Sequence, residues 1–293
     1  MAEFSGLHLH EDPPLFREAI NLTVARTGFN ARLIERDYFC TLLLAYFARY
    51  GGDTLVFKGG TCLAKVHAGF YRLSEDLDFT IPLPAAANRA VRRQAATKIK
   101  NAVHGIADYL SGFVATGPLK GANHSTQYNG FIRYKSPTSG QDEDVLIEAS
   151  VREPLLLPVK DAPVKTLLLD PLTGDAAVSA IPVRCIAMKE ALAEKFRAAM
   201  SRKDVAIRDF FDLDYASQHL GLDPTDPELV ELVQRKLAVP GNLPVDVSPE
   251  RFALLERQLD ARLKAVLRDR EFAEFDLRRA FNMVVAIAKI CIL

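Results

Sequence analysis

Excess charge of either sign is missing from this chain, in which 37 lysines and arginines stand against 37 aspartates and glutamates. With no net field, nothing global draws the protein to nucleic acid or to an anionic membrane, so a polyanionic partner must be met by a local patch. Paired cysteines are missing too. Cys40, Cys62, Cys185 and Cys291 lie far apart in apolar settings, without a C-x-x-C pair or a histidine at metal-ligand spacing. That argues against a disulfide framework or a structural zinc site, and for reduced, buried thiols in a cytoplasmic protein. No run of Gly, Ser, Pro or one charge sign is long enough to suggest disorder, and no internal repeat is present. The apolar run "MVVAIAKICIL" is too short to span a bilayer, and "MAEFSGLHLHEDPP" has neither a basic start nor an apolar core, so export and membrane insertion are not expected. G-x-x-x-x-G-K-[ST] is absent, as is a G-x-G-x-x-G after a strand, so neither a P-loop nor a dinucleotide-binding fingerprint explains the glycines.

What is present is enough apolar sequence, 49% over 293 residues, for two domains of ordinary size. After an opening tail, "PPLFREAINLTVARTG" and "NARLIERDYFCTLLLAYFARYGG" carry helical spacing and stop near glycine. "TLVFKGG", "TCLAKVHAGF" and "LDFTIPL" then read as strand, turn, helix and strand. Residues 85–113 read as one long amphipathic helix with a basic outer side. "STQYNGFIRYKS" and "EDVLIEASV" form a hairpin joined by a polar loop. From about residue 184 the pattern is helical almost without relief. The expected fold is α+β: a mixed sheet with N-terminal and flanking helices over residues 1–160, a proline-bearing connecting segment at 161–183, and a C-terminal helical domain over 184–293.

The chemistry gathers in "KGGTCLAKVHAGFYRLSEDLDFTI". Alternate side chains of a strand share a face, so Asp76, Asp78 and Thr80 point one way while Leu77, Phe79 and Ile81 point the other. Two carboxylates that close repel unless positive charge sits between them, and Mg²⁺ is the hard ion that commonly fills such a gap. Taken alone, an acidic pair at a strand start is an ordinary solvated terminus. Its company changes that reading. Gly59 and Gly60 let the backbone approach a bound group, and with Thr61 they open a helix whose free N–H groups suit a polyphosphate. A phosphate cradle facing a cation site fits a nucleoside triphosphate.

The order G-G-T, then sixteen positions from Gly60 to Asp76, then D-x-D on a strand resembles the polymerase-β-like nucleotidyltransferase superfamily. "FKGGTCLAKV", "YRLSEDLDF", "ALAEKFRAAMSR" and "IRDFFDLDY", all within residues 55–215, are similar to the AbiE-type abortive-infection (AbiEii) and MenT-type toxin nucleotidyltransferases of type IV toxin–antitoxin systems. The resemblance implies Asp76 and Asp78 as ligands of Mg²⁺, with Mn²⁺ a substitute, and Glu148 in "DVLIEASV" as a third carboxylate. It implies NTP binding at Gly59, Gly60, Thr61 and Ser74. Lys195 would neutralise triphosphate charge as a mobile ammonium, and Asp212 would orient that lysine or take the acceptor's proton. It further implies an acceptor at the 3′ end of tRNA, toxic inhibition of translation, a cognate antitoxin, and an active cleft between the domains. Read from the residues alone, Lys195 only flanks the Leu192, Phe196, Met200 stripe, and Arg208 with Asp212 makes an ordinary i,i+4 pair.

Lys58, Arg72 and Arg208 lie in or beside these blocks, where each reads equally as a phosphate contact or as surface charge. Arg92, Arg93, Lys98, Lys100, Arg202 and Lys203 can guide an RNA backbone or simply be solvated. "HLHED" at a loose terminus cannot preorganise a metal, and His67, His104, His124 and His219 stand outside any triad context. Two alternatives stay open: transfer to a small hydroxyl such as that of an aminoglycoside, and a non-catalytic NTP-binding module.

Overall fold

Helix α1, Pro13–Thr27, begins where Asp12 accepts the Leu15 amide, and it ends at Gly28, whose φ of 74° terminates the turn. Asn30 caps α2, Ala31–Tyr50, by accepting the Arg32 amide at 2.9 Å. The structure, a computed structural model, describes residues 8–292. The first seven residues of the expected tail therefore lie outside the described residues. Within "HLHED", residues 8–12, a 3₁₀ turn runs over Leu9–Glu11, with His10 Nδ1 3.0 Å from the Tyr38 hydroxyl.

The chain divides into two compact units, one of residues 1–155 with 159–186, the other of 156–158 with 187–293. In the first, β1 is Val56–Lys58, α3 is Gly59–Cys62 and runs on into a π-turn at Leu63–His67, and β2 is Leu77–Thr80. The long helix expected over 85–113 is instead α4, Arg89–Ala95, then α5, Thr97–His104, a 3₁₀ turn at Ile106–Asp108, and the strand β3, Phe113–Ala115. Its periodicity is real, but the backbone leaves helical geometry at Ala96 and again at Gly105. β4, Lys120–Ala122, precedes the expected hairpin of β5, Gln127–Lys135, and β6, Asp142–Ser150.

The segment expected to connect the domains is part of the sheet. Lys160–Val164 is β7 and Ile181–Cys185 is β8, paired antiparallel, so the connecting segment at 161–183 is corrected. Proline usually argues against a strand. Here Pro163 and Pro182 face each other at one rung of the ladder, so their missing N–H groups fall together, and β7 is the sheet's edge.

The strands run in the order β3, β5, β6, β2, β1, β8, β7, with β4 also on β5. β1 is antiparallel to β2, while β2 is parallel to β6, so the sheet is mixed as expected. Helix α2 covers one face. Phe39 stacks on Tyr134 with ring centres 3.8 Å apart, and Phe47 meets Phe79 at 5.4 Å. Leu77, Tyr128, Ile132, Ile147 and Ala149 are buried on that same side. Alternation therefore turns Asp78 and Glu148 to the other face.

The second unit holds α6, Met188–Ser201, α7, Ile207–His219, α8, Pro227–Leu237, α9, Pro249–Glu256, α10, Asp269–Glu274, and α11, Leu277–Ile292. "SPERFALLERQLDARLKAVLRD" is not one helix: after α9 it becomes a π-turn at Leu259–Leu263 and a 3₁₀ turn at Lys264–Val266. Phe196, Phe210, Val233, Leu255, Val284 and Ile287 form its core. Within that core Lys236, fully buried, meets Glu190 at 2.8 Å, and Glu190 also accepts the amides of Leu156 and Leu157. Among the described residues no helix is long and apolar enough to cross a membrane.

Candidate active site

The sheet register aligns the acidic residues. Lys58 on β1 pairs with Asp78 on β2, and Asp78 pairs with Glu148 on β6. Partners at one rung share a face, so Lys58, Asp78 and Glu148 form a row across three strands about 4.8 Å apart. Asp76 precedes β2 on the same face. All four are half-buried.

The glycine turn presses on this row. Gly59 has φ +77°, and a Cβ there would sit 2.1 Å from Asp78 Oδ2. Only a residue without a side chain allows both the backbone conformation and the approach. A Cβ on Gly60 would meet the Arg72 guanidinium at 2.5 Å, with Ser74 Oγ at 3.4 Å. Arg72 is 1% exposed, and its guanidinium donates to the Leu73 carbonyl at 3.2 Å, so it is not the surface charge that one reading of the sequence allowed. Thr61 Oγ1 donates to the Asp76 carbonyl, tying the start of α3 to the residue that carries the first carboxylate. The structure thus brings together Lys58, Gly59, Gly60, Thr61, Arg72, Ser74, Asp76, Asp78 and Glu148.

Arg36 belongs to this arrangement and the sequence did not flag it. From the buried side of α2, its Nε donates to the Glu75 carbonyl at 3.0 Å and another nitrogen donates to the Asp144 carbonyl. It also meets the Glu143 carboxylate at 3.2 Å. Arg36 so fixes the peptide before Asp76 to the start of β6. Its signal, a cation in the middle of an apolar helix, was visible but had no named partner. Beside it, Arg32 hydrogen-bonds Glu143 and holds that carboxyl below the usual carboxylate range.

In the helical unit, α6 and α7 bring Lys195 to Asp212 Oδ2 at 2.8 Å and to Asp209 Oδ1 at 2.7 Å. The Asp212 side chain is fully buried, so its observed partner is Lys195 rather than the i,i+4 arginine. Arg202 stands 3.6 Å from the other Asp209 oxygen. Asp209 was missed, although it lies three positions before Asp212 and so on the same helical face. Held by two carboxylates, Lys195 is a fixed ammonium, not a mobile one. Arg208 is half-buried on α7.

Among the described residues, no three His, Cys, Asp or Glu side chains are grouped closely enough to hold a metal by themselves. Mg²⁺ is typically held by one or two carboxylates with water and substrate phosphates supplying the rest. Asp76 and Asp78 are such a pair of hard oxygen donors.

A family model described as the nucleotidyl transferase AbiEii toxin of type IV TA systems matches residues 41–286. The chain belongs to that family. It is a nucleotidyltransferase, and membership of a type IV toxin–antitoxin family implies an NTP substrate and an antitoxin partner. No curated protein matches. Among the solved structures that share the fold are two from Helicobacter pylori. One is JHP933 from Helicobacter pylori, 17% identical, with a TM-score of 0.51 over 90% of this chain and 93% of that one. The other, a Helicobacter pylori protein provisionally assigned as a nucleotidyltransferase, has the same identity and score over 90% and 96%. The fold is thus one that these two chains also adopt.

Proposed function

We propose that this chain transfers a nucleoside monophosphate from an NTP to an RNA hydroxyl, with the 3′ end of tRNA as the acceptor. The transfer blocks translation in the cytoplasm and arrests bacterial growth until a cognate antitoxin intervenes. The observation that carries the reading is the contact between Gly59 and Asp78, which sets a backbone able to receive phosphates directly against a carboxylate. In this reading the amides of Gly60 and Thr61 receive phosphate oxygens, with Ser74 and the buried Arg72 lying against Gly60. Asp76 and Asp78 hold Mg²⁺, or Mn²⁺ in its place. Bound there, the cation neutralises phosphate charge and makes an acceptor hydroxyl a better nucleophile.

The acceptor oxygen forms a bond to the α-phosphorus as the bond from that phosphorus to the pyrophosphate oxygen breaks, the two roughly in line. Glu148, beside Asp78 on the side away from the glycine turn, takes the hydroxyl proton, a role inferred from its place in the row. Lys58 contributes positive charge toward the phosphates, and Lys195, oriented by Asp209 and Asp212, is assigned a charge-neutralising role from the motif it occupies. Arg208 is assigned a nucleotide-binding role from its motif alone. The balanced charge, 37 against 37, keeps a small-hydroxyl acceptor as the second reading.

The test incubates the protein with Mg²⁺, total bacterial tRNA and each NTP labelled at the α-phosphate, beside Asp76→Ala and Lys195→Ala. Label on tRNA that both substitutions abolish is the expected result. Pyrophosphate release with an aminoglycoside but no labelled RNA moves the assignment to the second reading. NTP binding without pyrophosphate release from any acceptor leaves a non-catalytic module.

A further inference from the structure

The row through Lys58, Asp78 and Glu148 does not end at β6. Glu148 pairs with Asn129 on β5, so Asn129 lies on the same face, two strand spacings or about 10 Å from Asp78. Two rungs along, Leu146 pairs with Phe131, and extending the register of β2 and β6 by one residue puts Asp76 level with Leu146. Each carboxylate of the D-x-D pair therefore has a residue of β5 across from it on the same face: Asn129 from Asp78, Phe131 from Asp76.

Both β5 residues are poorly accounted for by the fold. Phe131 is 46% exposed and Val114 on the adjoining β3 is 50% exposed, while the opposite face of β5 buries Tyr128, Ile132 and Tyr134. A large aromatic left open on a sheet is what proteins that bind single-stranded nucleic acid use to stack a base. Asn129 Oδ1 is buried without a hydrogen-bond partner. An acceptor oxygen in that state costs free energy unless something donates to it. The exocyclic amino group of a nucleobase is such a donor.

The side of the sheet on which this lies decides which base. The glycine turn follows β1, on one flank of Asp78, and β5 is beyond β6 on the other flank. With the pyrophosphate leaving toward the turn, in-line attack on the α-phosphorus brings the acceptor from the β6 and β5 side. We infer that Phe131 and Asn129 receive the terminal base of the RNA acceptor, Phe131 by stacking on its face and Asn129 by accepting an N–H from its edge. This rests on the nucleotidyl-transfer reading and deepens it, since it makes the acceptor a nucleic acid rather than a small hydroxyl compound.

The chain contains no tryptophan, so Phe131→Trp in the full-length protein places a single fluorescent reporter at the site. Titration with a short single-stranded RNA bearing a free 3′ hydroxyl, without NTP, is expected to quench that tryptophan, while NTP with Mg²⁺ alone leaves it unchanged. Quenching by NTP alone would place the donor's base there and overturn the assignment, as would silence with both ligands. Turnover supplies a second readout. Phe131→Ala should raise KM for RNA about tenfold, the size of a lost base–aromatic stack, with KM for NTP unchanged and Phe131→Tyr restoring it. Asn129→Ala should bring together the rates of RNAs that differ only in their last base. Unchanged KM for RNA in Phe131→Ala overturns the inference. Because quenching needs no turnover, RNA binding at this face in a protein that labels no RNA would sink the transfer reading alone. Labelled RNA with a silent tryptophan would sink only this one.

Discussion

Gly59 and Asp78 are so close that no side chain fits between them: a Cβ on Gly59 would lie 2.1 Å from the carboxylate oxygen and 2.7 Å from Asp78 Cβ. Turn and carboxylate form one structural piece, and Gly59→Ala separates them. The positive φ costs an alanine about 1–2 kcal/mol, and Asp78 must move as well. The expected result is a modest fall in the thermal midpoint with a loss of nucleotidyl transfer of about a hundredfold or more. A variant that melts lower but transfers normally would show that the contact serves only the fold.

The carboxylates should separate by role. Asp76→Ala and Asp78→Ala are expected to abolish transfer at any Mg²⁺ concentration, because in the proposed site these two carboxylates hold the cation. Glu148→Gln keeps the shape and hydrogen-bonding reach of the side chain but removes the base. It should lower kcat by about a hundredfold with little change in KM for NTP. If excess Mg²⁺ instead restores Glu148→Gln, the residue is a metal ligand and not the proton acceptor.

How far the sequence spoke for itself depended on how local each feature was. The period of two in "LDFTI" located β2 and the facing of Asp78, and Gly59 with Gly60 marked the turn, because both signals lie within a few residues. The break at Ala96 did not show, since apolar spacing continues through it into α5. Pro163 and Pro182 masked β7 and β8, because only their mutual register makes proline tolerable there. Arg36, Asp209 and Asn129 became visible only once folding supplied their neighbours: the Glu75 carbonyl, Lys195 and Glu148.

The three-membered cluster of Lys195, Asp209 and Asp212 tests whether a motif residue is also structural. The two aspartates are 6% and 0% exposed, so Lys195→Met leaves two carboxylates without their shared cation. Breaking a buried pair from one side typically costs about 3–5 kcal/mol. Adding Asp212→Asn to Lys195→Met should recover part of that loss, which urea unfolding of the two single variants and the double variant measures as a coupling. Additive effects would mean that the lysine and Asp212 do not act as a pair.

Two histidines give stability a pH dependence in a range where carboxylates are silent. Burial lowers the pKa of His67 below its ordinary value of 6.5, with Nε2 3.0 Å from the Ile186 carbonyl, and burial does the same to His10 beside Tyr38. Below 6.5 the unfolded chain takes up protons that the folded chain resists, so the stability present above that pH is lost as pH falls through the lower folded-state values. Carboxyls held low by arginine, such as Glu143 and Asp144, add their own loss only beneath their ordinary values of 4.5 and 3.8. Between about pH 6.5 and 5 the slope therefore belongs to histidine. The thermal midpoint should fall across that interval in the native protein and fall less in His10→Gln/His67→Gln. A native midpoint that stays level, or a double variant with the full slope, would mean that neither ring must remain neutral for the unit to fold.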